Sequence, residues 1–175
     1  KMEISKQEGG GPSKNLVLDV TGGAVFKKDK LIDYYTGDDM IGFNFLVDEM
    51  KGGIIVFEVP DEYSKGVKYI GSKGKYTSLE IKESKTKNKV SISDGKINLE
   101  VNVKLKGSIG EDTKGLDIKE LEVKNAIEEA CSKRVEEYIR ETLIKAQKKF
   151  QLDTFGIDRL VHKKYPDLWK DISDE

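Results

Sequence analysis

The residues able to do chemistry are few. Among 175 residues there is one imidazole, His162, and one thiol, Cys131. A hydrolase built on Ser or Cys would use His162 as its base, and would need a pocket bringing it beside a carboxylate and a hydroxyl or thiol. His162 stands between Val161 and Lys163-Lys164 with no accompanying motif, the setting of an ordinary surface side chain. Cys131 falls on the apolar face of a long helical pattern, where a free Cys behaves as a small hydrophobe. One Cys excludes an internal disulfide, and one Cys with one His is too few for an ordinary structural zinc site. No catalytic residue, metal or cofactor is assigned.

Other patterns fail on spacing. The segment GSKGKYT at 71–77 ends like a phosphate-binding loop. That motif needs Gly where Tyr69 stands and a hydroxyl residue directly after Lys75, where Tyr76 stands. GGGP at 9–12 precedes a strand and reads as a loop. The 32 acidic residues make neighbours such as Asp38-Asp39, Glu111-Asp112 and Glu128-Glu129 inevitable. Nothing sets two of them across a pocket in unequal environments, as glycosidase chemistry requires. No DxDxDG calcium loop is present. Phe155, Tyr165 and Trp169 gather large aromatics near the end of the chain. They read as clamps for the last helices, with a partner-binding surface as the alternative, since Trp and Tyr dominate interface hot spots.

The charge balance excludes more. With 31 Lys+Arg against 32 Asp+Glu the net charge is -1, so there is no global attraction to nucleic acid or to an anionic bilayer. The Lys-rich stretches at 82–89 and 104–114 are interleaved with Glu, Asp and Asn, and read as solvated faces. No stretch approaches the roughly 18–20 apolar residues of a membrane helix. The opening KMEISKQEGGG lacks the apolar core of a signal peptide. The chain starts with Lys, so the expectation is a soluble piece of a longer protein, with any anchor upstream.

The elements that must position these residues follow two periods. Up to about Gly110 the pattern alternates. Ile97, Leu99, Val101, Val103 and Leu105 interleave with polar residues, Leu79 and Ile81 begin a similar strand, and Asp94-Gly95 suits the tight turn of a hairpin over 88–106. Leu16 to Val20 forms another strand, and Ala24–Phe26 pairs with Leu31–Tyr34 around Lys28-Asp29-Lys30. Ile54 to Val59, ended by Pro60, has the density of a strand buried on both faces. Residues 37–49 favour a short helix, with Asp38 and Asp39 in its first turn. Residues 61–76 read as an exposed connection around one short strand.

From Asp117 the period becomes 3.6. Leu121, Ile127, Ala130, Cys131, Val135, Tyr138, Ile139, Leu143, Ala146 and Phe150 share one face of a helix over 121–150, with charged residues opposite. Asp153 or Thr154 is placed to cap a second helix through Lys164, and Pro166 to open a third. Strands followed by helices predict one α+β domain over 1–175, with a mainly antiparallel sheet, a long C-terminal helix and two short helices packed on one face.

Four segments together resemble the C-terminal domain of the Ger(x)C family, the C subunits of spore germinant receptors. Residues 23–31, GAVFKKDKL, are similar to its GxAVFKxDKL hairpin, and Lys51-Gly52-Gly53-Ile54 to its KGGI strand entry. Lys145-Ala146-Gln147-Lys148 followed by Asp153-Thr154-Phe155-Gly156 resembles its KxQ…D(I/T)FGF segment. Residues 162–170, HKKYPDLWK, resemble its closing H(R/K)xYPxxWK motif. Ile157 departs from the family's Phe, and the Trp and final strand expected beyond Ile172 are missing, leaving a sheet edge unpaired or its last strand uncovered.

The resemblance implies a lipoprotein anchored to the spore inner membrane on its extracytoplasmic side, through an acylated Cys upstream of this chain. It implies two membrane-embedded receptor subunits as partners, no nucleic acid, and a nutrient bound by those other subunits. On this reading Phe155, Gly156, Tyr165, Pro166 and Trp169 form a candidate partner-contact or structural motif. The competing readings are a hydrolase using His162 with carboxylates, and direct nutrient recognition in a concave apolar pocket.

Overall fold

The computed structural model describes residues 2–6, 16–65 and 76–172. The GGGP segment, most of the 61–76 connection with its expected short strand, and most of the phosphate-loop look-alike lie outside the described residues. In chain order the elements are β1 (Met2–Lys6), β2 (Leu16–Val20), β3 (Gly23–Lys27), β4 (Lys30–Tyr35), α1 (Gly37–Leu46) and β5 (Gly53–Phe57). After a 3-10 turn at Asp61–Tyr63 come β6 (Thr77–Ser93), β7 (Lys96–Asp112), α2 (Leu121–Ile144), a π-helical turn at Lys145–Phe150, α3 (Ile157–Lys164) and α4 (Pro166–Ile172). The class is α+β with every strand pair antiparallel. Among the described residues the strands divide into the pairs β1-β2 and β3-β4 and the three-stranded order β5-β6-β7.

The hairpin β6-β7 is the scaffold. Asp94 and Gly95 take positive φ of 51° and 70°, the backbone that a two-residue turn between twisted strands requires. The hairpin is longer than the alternation suggested, because the segment at 79–84 and the one at 90–92 are a single strand. The pairing shifts between Ile81 and Glu83, where Ile81 faces Gly107 and Glu83 faces Lys106. One extra residue at such a bulge moves the inward set by one position. The inward residues accordingly run Leu79, Ile81 and then Ser84, Thr86, Asn88 and Val90, while β7 keeps its odd-numbered face from Leu99 to Ile109.

Strand β5 lies at one edge and β7 at the other. Only one face of β5 is buried: Ile55 and Phe57 point into the core, whereas Ile54 is 63% exposed and Val56 is also exposed. The reading of 54–59 as a strand buried on both faces is thus corrected, since its apolar density covers an edge. The solvated reading of 104–114 also needs a correction. Lys114 is buried, and its ammonium donates to the Val59 carbonyl and to the Asp61 carboxylate at 2.9 Å. Those bonds satisfy a charge that could not otherwise leave water.

Helix α1 begins with a capping box. The Asp39 amide donates to the Thr36 hydroxyl at 3.3 Å, and the Thr36 amide donates to Asp39 at 2.6 Å. It crosses α2 at Gly42, where an added Cβ would run into the Thr142 hydroxyl and the Tyr138 carbonyl. Thr142, fully buried, donates across this crossing, with Oγ1 3.0 Å from the Asp39 carbonyl and 2.8 Å from that of Tyr138. Helix α2 lays Val123, Ala126, Ile127, Cys131, Val135, Tyr138 and Ile139 against Phe45, Leu46, Ile55, Phe57 and Ile81. Leu121, assigned to that face by periodicity, is 71% exposed, and the buried face of the helix begins at Val123.

Candidate functional site

The regular helix gives way before Phe150. Lys145–Phe150 is a π turn, and Gln151 stops it in the left-handed conformation at φ 53°. Wider hydrogen-bond spacing of this kind re-aims the side chains that follow. It turns Ala146 and Phe150 onto Val25 and Tyr35 of the β3-β4 hairpin, forming a second, smaller apolar cluster with Met40, Phe43, Leu152 and Phe155 at its border.

Aromatic rings dominate that cluster. Tyr35 meets Phe150 edge-on at 5.0 Å and Phe43 at 5.7 Å, and Phe43 meets Phe155 at 5.6 Å, within the separations where such pairs attract. The Tyr35 and Thr154 hydroxyls share a hydrogen bond of 2.7 Å. Burial lifts the Tyr35 hydroxyl above its usual range, the Thr154 bond works against that, and the nearby Asp39 and Asp153 carboxylates add to it. Lys145 pairs with Asp39 beside these rings. Burial drives the Asp39 carboxyl upward, but hydrogen bonds from Lys145 and from the amide and hydroxyl of Thr36 outweigh it and hold the group below the usual carboxylate range.

Asp153 organises the next turn, although not from the cap position expected of it. Its carboxylate accepts from the amides of Phe155 at 2.9 Å, Gly156 at 3.0 Å and Asp158 at 2.7 Å. The cap residue of α3 is Gly156 at φ 74°, a conformation glycine adopts without strain. Thr154, the other expected cap, is spent on Tyr35. Pro166 does open α4. Lys164 donates to the Val90 carbonyl at 2.6 Å and ties α3 to the long hairpin.

These elements enclose an apolar cleft of about 380 Å³, lined by Ile97, Leu143, Leu152, Phe155, Val161 and Trp169 among others, with Gln147, Gln151, Asp153 and Asp158 supplying polar groups. Two of the five motif residues, Phe155 and Trp169, therefore converge on one concavity. Gly156 shapes the turn beside it. Tyr165, half-buried, and Pro166, exposed, form the α3-α4 joint outside its lining. Ile97, at the tip of the hairpin, joins the site through tertiary packing and carries no motif that would have singled it out.

His162 is exposed, and its ring stacks on Trp169 at 5.6 Å. Cys131 lies buried on α2, where desolvation pushes its thiol up to about 11, too high for a ready nucleophile. Among the described residues, the neighbour recorded for this imidazole is the Trp169 ring and not a carboxylate with a hydroxyl or thiol. Among the described residues no cluster of His, Cys, Asp and Glu is arranged to hold a metal ion, and no helix is long and apolar enough to cross a membrane.

A second concavity of about 650 Å³ runs between the edge of β5 and α2, with Val56, Glu58, Tyr63, Glu129, Lys133 and Arg134 on its walls. It is mixed in character. Arg134 lies 4.0 Å over the Tyr138 ring and 3.2 Å from Glu137, so its charge is already engaged. Sequence reasoning singled out none of these residues, because they gather only where a strand edge meets a helix.

Residues 21–175 match the protein family described as spore germination B3/GerAC like, C-terminal. The spore germination protein GerQC of Bacillus cereus is 27% identical over 147 residues, which is 84% of this chain and 38% of that protein. The spore germination protein KC of Bacillus subtilis (strain 168) is 26% identical over 137 residues, 71% of this chain and 33% of that protein. The chain thus spans little more than a third of these relatives' length. A solved structure titled as the crystal structure of the GerBC protein superposes with a TM-score of 0.69 at 22% identity, covering 91% of this chain and 46% of that one. That likeness shows the fold. With the family match running from Thr21 to the last residue, the chain belongs to the spore germination B3/GerAC-like family, as its C-terminal domain.

Proposed function

We propose that this chain is the C-terminal domain of a non-catalytic germinant-receptor subunit, which acts in the initiation of spore germination through contacts with membrane-embedded subunits. The family match over 21–175, in a family whose relatives are named as spore germination proteins, carries the reading. In this reading the protein works at the spore inner membrane, held there by a lipid anchor upstream. The cleft holding Phe155 and Trp169 is the contact site in this reading. Its apolar lining suits a partner's side chain, and aromatic residues in a concavity are the usual anchors of an interface.

Deleting the gene in its spore former is expected to abolish or slow the response to the nutrients served by that receptor. Unchanged germination with every nutrient overturns the reading. Phe155→Ser and Trp169→Ser in the chromosomal copy, with protein level monitored by blotting, are expected to reproduce part of the deletion defect.

One observation favours a second reading. The cleft is concave and apolar, carries a few polar groups, and falls in the roughly 300–1,000 Å³ range of small-ligand sites. Titration calorimetry of this chain with amino acids decides between the two: no heat is expected from a partner-contact site, and saturable heat that Trp169→Ser removes assigns the nutrient to this domain.

A further inference from the structure

The β3-β4 hairpin exposes apolar surface that neither core cluster uses. Its inner face contributes Val25 and Tyr35 to the smaller cluster. Its other large side chains remain in solvent, with Phe26 56% exposed and Leu31, Ile32 and Tyr34 between 38% and 43%. A bulge gathers them. The pairing passes from Val25 opposite Asp33 to Phe26 opposite Leu31, leaving Ile32 as an extra residue, so Leu31 and Ile32 together stand against Phe26.

Charge is concentrated at the same tip. Lys27, Lys28 and Lys30, all exposed, bracket the turn between Phe26 and Leu31, with Asp29 as the one acidic residue among them. The hairpin's other carboxylate, Asp33, is paired with Lys149 at 2.6 Å. Although the whole chain is balanced at -1, its tip is locally basic.

We infer that the tip of this hairpin docks on an anionic lipid surface. Large aliphatic and aromatic side chains flanked by lysines match the two halves of a bilayer interface: apolar groups enter the headgroup and acyl boundary while ammonium groups meet anionic headgroups. Lysine stems reach outward along apolar surface and keep their charge in the polar layer. An acidic protein surface would satisfy the lysines but leave Phe26, Leu31 and Ile32 without an apolar counterpart. Lipid binding of this kind is a property of the chain itself and does not depend on any receptor subunit, so it stands or falls separately from the germination role.

Flotation of the 175-residue protein with vesicles tests it. Vesicles of phosphatidylcholine with roughly one-third phosphatidylglycerol are expected to carry the protein upward, and vesicles of phosphatidylcholine alone to leave it behind. Replacing Lys27, Lys28 and Lys30 together by Ser is expected to weaken binding on the order of 100-fold. The pair Phe26→Ser and Ile32→Ser is expected to weaken it at least about 10-fold. All five side chains are exposed, so thermal melts should stay at the parent value and separate lost binding from lost folding. Absence of binding to the anionic vesicles overturns the inference, as does binding that survives the Phe26 and Ile32 substitutions. Loss of a protein complex with the same substitutions, without vesicle binding in the parent, reassigns the patch to a protein partner.

Discussion

The two apolar clusters of this domain differ in chemistry and in closure. The larger is mainly aliphatic and packs between the β5-β6-β7 sheet, α1 and α2, with Phe45, Leu46 and Ile55 almost wholly buried at its centre. The smaller is aromatic, carries polar handles at the Tyr35 hydroxyl and the Asp39-Lys145 pair, and borders both the cleft and the exposed hairpin. The buried centre of the larger cluster contributes stability. An open cluster leaves apolar surface available for contact, and in this molecule both candidate binding surfaces adjoin it.

The sharpest way to break that distinction is to empty each cluster in turn. Phe45→Ala in the larger cluster is expected to destabilise the domain by about 3–5 kcal/mol in chemical denaturation. Phe155→Ala, at a half-buried position on the rim of the smaller cluster where it also touches the larger, is expected to cost well under half of that. Equal losses would erase the contrast between core and rim.

A smaller effect is expected where charge supports the aromatic cluster. Asp39→Asn is expected to cost about 1–2 kcal/mol near neutral pH, by weakening the bonds to Lys145 and Thr36. Because the folded-state carboxyl is held below its ordinary range, its contribution is present above that range and disappears as the pH falls through the folded-state value. Stability curves of parent and variant should therefore converge in acid. A gap that persists once the carboxyl is protonated would assign the loss to packing and not to charge. Smallest of the three, Tyr35→Phe removes one hydrogen bond to Thr154 and is expected to cost about 1 kcal/mol, with the rings still packed.

Much of the larger cluster was legible because its elements are long and periodic. The alternation from Ile97 to Leu105 and the face running from Ile127 to Ile139 each repeat often enough to identify an element. The bulge near Lys82 defeated the same method, since a single extra residue reverses the parity and makes one strand look like two. Strand β1 was missed for a related reason. Met2 and Ile4 alternate with Glu3 and Ser5 over too few positions to distinguish a strand from an extended tail, and pairing with β2 makes it one. The buried Lys114 was illegible, because a lysine in a charged stretch carries no sign that the Val59 carbonyl will receive it.

The sequence by itself determined the α+β class, the turn at Asp94-Gly95, the start of α4 at Pro166 and the family, because local backbone preference and short motifs are properties of neighbouring residues. Tertiary packing alone settled that Phe155 and Trp169 share a cleft with Ile97, that the His162 ring stacks on an indole, and that Phe26, Leu31 and Ile32 stay in solvent while Val25 does not. Those outcomes depend on where a π turn aims the chain and on which side of a hairpin finds a neighbour. Each joins residues far apart in sequence, and no local pattern records the distance between them.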